Sequence, residues 1–171
     1  MKFFYDTEFL ERNGYIFPIS IGIVSDEPNN LGIAEYYAVL EDAQWGTIVS
    51  NEWIRIHVIS NLGSSNNFKP LWLIRNEISA FIKSFGGTSE DNELWAYYGA
   101  YDHVVLSQIY GRMLGIPEPV PMYTNDIMTL AHMHGLPDPK LDGDHNALKD
   151  AEHVREAYKR IMKQIKKGQD K

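Results

Sequence analysis

Four carboxylates and one histidine stand in this chain at spacings that suit divalent-metal chemistry. Asp6 and Glu8 lie two apart inside the apolar run Phe3-Phe4-Tyr5-Asp6-Thr7-Glu8-Phe9-Leu10. Asp102 closes the stretch from Leu94 through Tyr101, and His145 and Asp150 frame His-Asn-Ala-Leu-Lys-Asp. An ionised carboxylate inside an apolar segment is costly unless something compensates it. If the three segments meet, a divalent cation is the natural compensation, and cations held by carboxylates serve phosphate chemistry.

Each residue has its own logic. A spacing of two matches the strand period, so Asp6 and Glu8 project from one face, where like charges repel unless a cation lies between them. Asp102 follows a buried-looking strand and precedes an apolar helix. It reads equally as a helix N-cap and as a ligand at the carboxyl end of a strand. Asp150 flanks the apolar stripe of the last helix, and its neighbours Asn146 and Val154 are not basic. His145 is five residues earlier, about 500° of helical rotation, so the two diverge on one continuous helix. On a loop just before that helix, His145 swings over the same site as a general base. The other five histidines read as surface residues, with His103 singled out because it adjoins Asp102. Asp138, Asp142 and Asp144 make an acidic loop without the spacing or terminal Glu of an EF-hand.

Bulk composition sets the bounds. At 171 residues with 44% apolar and 23% charged content, the chain reads as one domain, 1–171, with a real core. With no cysteine, disulfides and thiolate zinc sites are excluded. No apolar stretch approaches the roughly 20 residues of a membrane helix, and acidic residues interrupt the N-terminal apolar run, so a cytoplasmic protein with no membrane partner is expected. The net charge of −7 argues against a broad electrostatic footprint on nucleic acid. It leaves room for an enzyme that grips a strand end. The basic segment Arg155 to Lys171 reads as a solvated helix face in preference to a phosphate contact.

The elements that must position these residues follow from periodicity. Strands are predicted over 2–10, 16–24 and 34–40, joined by short turns as an antiparallel meander. Asn51 is expected to cap a helix carrying Ile54, Val58 and Leu62, and 63–70 reads as a polar loop. A second helix carries Leu71, Ile74, Ile78 and Phe85 and stops at Gly86-Gly87. A fourth strand over 93–101 ends at Asp102. A helix over 103–113 and a short fifth strand within 117–123 follow. Next comes a helix over 127–134 capped by Asn125 or Asp126, then a last helix from about 146 to 167. This order gives an α/β fold, a mixed five-stranded sheet with helices on both faces.

In this order and at these separations, Asp6-Thr7-Glu8, Asp102 and His145-x4-Asp150-Ala151 resemble the DEDD exonuclease superfamily in its histidine-bearing branch, DEDDh. Ribonuclease T, oligoribonuclease and the proofreading subunit of bacterial replicases belong to it. A nearer likeness is to the compact polyadenylate-specific 3′-exoribonuclease AS family of mycobacterial type. It is carried by Tyr5-Asp6-Thr7-Glu8-Phe9, Ile19-Ser20-Ile21-Gly22, Leu94-Trp95-Ala96, Gly99-Ala100-Tyr101-Asp102-His103 and the last motif, and it spans nearly the whole chain. The resemblance implies a ribonuclease H-like fold. It assigns Asp6, Glu8, Asp102 and Asp150 to two-metal coordination by Mg²⁺ or Mn²⁺ and His145 to the general base. Two departures bear on substrate preference. Tyr97-Tyr98 stands where many relatives carry His-Asn, and Phe9 replaces a Thr or Ser.

The resulting expectation is a metal-dependent 3′→5′ exoribonuclease acting on single-stranded RNA 3′ ends and releasing nucleoside 5′-monophosphates. Phe9, Tyr101 and His103 are the substrate-binding candidates, the first two as stacking platforms for terminal bases. A DNA 3′→5′ exonuclease and a non-catalytic nucleic-acid or protein-binding module are the alternatives. A homodimer is expected from the resemblance, with Trp45, Trp53 and Trp72 as candidate contacts set against core packing.

Overall fold

Apolar residues on both faces make the two long strands. In the computed structural model, which describes residues 1–141 and 143–169, β1 runs Lys2–Arg12 and β2 Tyr15–Ser25. They form an antiparallel hairpin closed at Asn13-Gly14, both in left-handed backbone. β3, Glu35–Leu40, continues the meander. Two short helices follow: α1, Trp45–Ile48, and α2, Glu52–His57. Asn51 caps α2 as expected, its side chain accepting from the Ile54 amide. Then come β4 (Phe68–Lys69), α3 (Leu71–Lys83), β5 (Glu93–Ala96), α4 (Ala100–Ile109), β6 (Thr124–Asp126), α5 (Ile127–Met133) and α6 (Ala147–Gln169).

The sheet is mixed, in the order β4-β3-β2-β1-β5-β6, with β4, β5 and β6 each parallel to its neighbour. It has six strands where five were expected. The extra one, β4, lies in the segment read as a polar loop. Two residues pairing with Val39 and Leu40 are too few to show a period. The strand expected within 117–123 falls instead at Thr124–Asp126, because Pro117, Pro119 and Pro121 lack the amide donors a ladder needs. The fourth strand stops at Ala96, and α4 begins at Ala100, so Asp102 sits in the first turn of a helix and not at a strand end.

Helices cover both faces, as the order of elements required. On one face Phe3, Tyr5, Ile21 and Ile23 pack against Ile74, Ile78 and Ile82 of α3 and Val105, Leu106 and Ile109 of α4. On the other, Phe4 and Val24 meet Ile127 and Ala131 of α5 and Ala151, Val154, Ala157 and Ile161 of α6. A third cluster joins Leu10, Ile19 and Val39 to Ile48, Ile54, Val58 and Leu62. Buried apolar area of this kind supplies the main drive for folding. It also fixes which face of β1 looks toward α6, and that is the face of Phe4 that Asp6 and Glu8 share.

One contact governs the approach of α6. Gly22 of β2 lies opposite Asp6 in the ladder. A Cβ there would come within 2.3 Å of the Leu148 nitrogen and 2.4 Å of the Ala147 carbonyl. The first turn of α6 therefore rests directly on bare strand backbone, as only glycine permits.

Candidate active site

The close seat of α6 on Gly22 brings Asp150 to β1. Asp6, Glu8 and Asp150 each offer a carboxylate oxygen within 4.8 Å of the others. Glu8 is 9% exposed, and Asp6 is half-buried. Asp6 and Asp150 open into a small cavity of about 110 Å³, which Tyr97, Leu141, Gly143, His153 and Val154 complete. Three oxygens at this spacing can share one hard cation with oxygen-ligand distances of roughly 2.0–2.6 Å.

Asp102 lies outside that trio. It is 5% exposed, and its Oδ1 accepts two bonds from Thr7, from the backbone amide at 2.9 Å and from Oγ1 at 2.7 Å. Its entry into α4 is also braced. The Gly99 amide donates to Asp126 Oδ2 at 2.8 Å, while Asp126 Oδ1 caps α5 through the Met128 and Thr129 amides. Asp126 was legible in the sequence as a cap of α5. Its second bond, which ties α5 to the start of α4, was not.

Electrostatics bind Asp102 to the others even so. Burial, and then the fields of Asp102, Glu8 and Asp150, hold the Asp6 carboxyl well above the usual carboxylate range. Burial, with Asp150 and Asp102 behind it, pushes Glu8 up to about 8. Asp102 itself rises to about 6, because burial outweighs the two Thr7 hydrogen bonds that favour its charged form. Among the described residues none of these carboxylates is ion-paired to a lysine or arginine. Asp6, Glu8 and Asp102 thus crowd together with no lysine or arginine to offset the charge they take on when deprotonated.

His145 sits on the loop before α6, as expected. Its backbone is left-handed, φ +52°. The ring meets Trp53 edge-on with centroids 4.9 Å apart and lies 6.1 Å from His57. It also neighbours Gly143, with His145 itself outside the lining of the cavity at Asp6 and Asp150. A Cβ built on Gly143 would be 3.7 Å from His145 Cε1 and 3.8 Å from Asp150 Oδ2.

A second histidine was missed in the sequence, where it read as a surface residue. His153 follows Asp150 by one helical turn. Its Nδ1 is buried 3.6 Å from Asp150 Oδ1, and its Nε2 is 3.9 Å from Asp144 Oδ2. The spacing of three on α6 was the available signal. Asp144 of the acidic loop joins Asp150 and His153 as a second group of close donor atoms, and the Asp144 amide donates to Asp150 Oδ1 at 2.8 Å. Asp138 pairs with His132 at 2.6 Å instead. Asp142 lies outside the described residues.

The substrate-binding candidates are placed as follows. Phe9 and Tyr101 stack on one another, centroids 5.7 Å apart and planes 12° apart. Tyr101 remains 45% exposed, so the pair offers one outward ring and no open slot between them. His103 Nδ1 pairs with Thr124 Oγ1 at 3.0 Å, and that hydroxyl pairs with the buried Tyr5 hydroxyl at 2.5 Å. Burial holds the His103 imidazole below its usual value. It lines a separate cleft with Met113, Met122 and Tyr123, which none of the four carboxylates borders.

Comparison with known proteins identifies the family. Residues 1–162 match the family model described as the Rv2179c-like 3′-5′ exoribonuclease domain. Two curated relatives, 3′-5′ exoribonucleases Rv2179c and MT2234.1 from two strains of Mycobacterium tuberculosis, are each 37% identical over 156 residues. The matches cover 88% of this chain and 87% of theirs. Among solved structures, the catalytic unit of Neurospora crassa Pan2, with its protease and nuclease domains, superposes with a TM-score of 0.53 at 13% identity. That match covers 98% of this chain and 28% of that one, and it supports the ribonuclease H-like fold alone. The chain belongs to the Rv2179c-like family of 3′-5′ exoribonucleases.

Proposed function

We propose that this exoribonuclease removes the terminal nucleotide from single-stranded RNA 3′ ends using two Mg²⁺ or Mn²⁺ ions held by Asp6, Glu8, Asp102 and Asp150. One observation carries the proposal: a close trio of carboxylates, two of which, Asp6 and Glu8, are raised in pKa by burial and then by their acidic neighbours, with no lysine or arginine against it. The donor set is all oxygen, which fits hard divalent cations. Bound there, such ions would neutralise the charge that builds on the scissile phosphate and acidify the attacking water.

The chain's own residues do the rest. Asp6, Glu8 and Asp150 are carried by rigid elements, a strand and a helix seated on it, which hold donor geometry well. Asp102, its Oδ1 tethered to Thr7, adds its negative field to theirs. His145 takes the proton of the attacking water. Water adds to phosphorus, the bond to the O3′ of the preceding nucleotide breaks, and that oxygen leaves with a proton. The products are a nucleoside 5′-monophosphate and an RNA one nucleotide shorter with a free 3′ hydroxyl. The outward face of Tyr101 receives the terminal base by stacking. Self-association would draw on Trp53 and Trp72, which stay 49% and 63% exposed, whereas Trp45 packs on Phe68.

The test is digestion of 5′-labelled RNA and DNA of one sequence with Mn²⁺. Asp6→Asn and Asp150→Asn should each lower RNA hydrolysis by on the order of 10²–10³-fold or more while the protein stays folded. Wild-type rates in both variants would overturn the carboxylate assignment. Equal or faster digestion of the DNA strand would overturn the substrate assignment.

A further inference from the structure

The loop that carries His145 is held by two asparagines. The histidine's left-handed backbone, φ +52°, is sparsely populated by any residue with a Cβ, so it persists only where its surroundings enforce it. Asn61 closes the 3₁₀ turn Ile59–Asn61 that follows α2. Its Nδ2 donates to the Asp144 carbonyl at 3.0 Å and to the His57 carbonyl at 2.8 Å. Asn146 answers from the other side. Its Nδ2 donates to the Asn61 carbonyl at 2.7 Å, while its Oδ1 accepts from the Lys149 amide at 3.3 Å at the start of α6.

The grip therefore falls on the residue before His145 and on the residue after it. The same connection brings α2 alongside, so that Trp53 and His57 flank the histidine ring. On its far side, the Asp144 amide binds Asp150. Both amide protons of Asn61 are used, one on its own turn and one across 83 residues of sequence to the loop. A side chain serving only the 3₁₀ turn would need just the first.

We propose that Asn61 is a positioning residue for His145, holding the histidine's backbone in the conformation that keeps its ring between Trp53 and Gly143. The inference rests on His145 accepting the proton in RNA hydrolysis. Asn61 touches none of the four carboxylates and reaches Asp150 only through Asp144, so its removal acts on turnover far more than on metal affinity.

A double-mutant cycle tests this with the full chain on a single-stranded RNA and Mn²⁺. His145→Ala should lower kcat by about 10²–10⁴-fold. Asn61→Ala should lower it by about tenfold or more, with KM changed less than about twofold and Mn²⁺ affinity by calorimetry lowered less than about threefold. In the His145→Ala background, Asn61→Ala should cost nothing further, because the group it positions is gone. Asn61→Asp keeps the shape but removes both donors, and should reproduce the pattern should the alanine variant fold poorly. Wild-type kcat in both Asn61 variants beside a crippled His145→Ala enzyme would overturn the positioning role alone. An equal loss from Asn61→Ala in either background would overturn it too. Wild-type kcat in His145→Ala would instead remove the proton-acceptor reading beneath it.

Discussion

Thr7 grips Asp102 with two donors on one oxygen, the amide at 2.9 Å and the hydroxyl at 2.7 Å. Thr7 alternates with Asp6 and Glu8 on β1, so the strand that presents two carboxylates on one side orients a third from the other. Both partners are buried, and a hydrogen bond to a charged group is worth about 1.5–3 kcal/mol. Thr7→Val keeps the volume and deletes the hydroxyl. It should lower the melting temperature by about 3–10 °C and reduce kcat more than it raises KM. An unchanged melt and unchanged kcat would show the hydroxyl to be idle.

Gly22→Ala should damage the site without touching a carboxylate. The new methyl meets backbone atoms of Ala147 and Leu148 at 2.3–2.4 Å, which no rotamer change can relieve. α6 must slide, and Asp150 slides with it. Overpacking of this kind costs about 1–3 kcal/mol. The larger loss should appear in turnover and Mn²⁺ affinity, since a misplacement of about 1 Å can cost 10²-fold. If the variant keeps both, α6 has another way to seat.

Without metal the chain should lose stability as pH rises from about 5 to about 8. Asp102 titrates near 6 and Glu8 near 8 when folded, both above their ordinary values of 3.8 and 4.5. The folded state therefore keeps protons that the unfolded chain has already released. Their favourable contribution is whole below the ordinary values and gone once pH passes the folded ones. Mn²⁺ or Mg²⁺ should reverse the trend, because it binds the deprotonated carboxylates and adds about 2.7 kcal/mol at 100 times its Kd. Thermal melts across this range, with and without Mn²⁺, give the answer. Metal-free stability that climbs with pH, or an Asp6→Asn variant with an undiminished Mn²⁺ response, would contradict the carboxylate cluster.

The strands and helices that carry the chemistry were readable because their periods are local. An apolar run marked β1, the spacing of two put its acids on one face, and an apolar stripe through Ala147, Ala151, Val154 and Ile161 marked α6. What was not readable depends on partners far along the chain. β4 has two residues and exists through its pairing with β3. Asp102 reads alike as a cap and a ligand until Thr7, 95 residues away, is seen to hold it. His153 looks like any helix-face histidine until Asp144 comes round the loop to meet it.

Sequence alone determined the identity of the acidic groups, the order of the elements that bear them and, through side-chain periodicity, the face on which each one stands. Tertiary structure decided which oxygens come within reach of one cation, which carboxylate is tethered by a hydroxyl instead, and how the loop histidine is held. The division has a physical cause. Direction along a strand or helix is set by backbone geometry over a few residues, whereas separation between elements is set by packing. At Gly22 that packing comes down to the absence of a single methyl group.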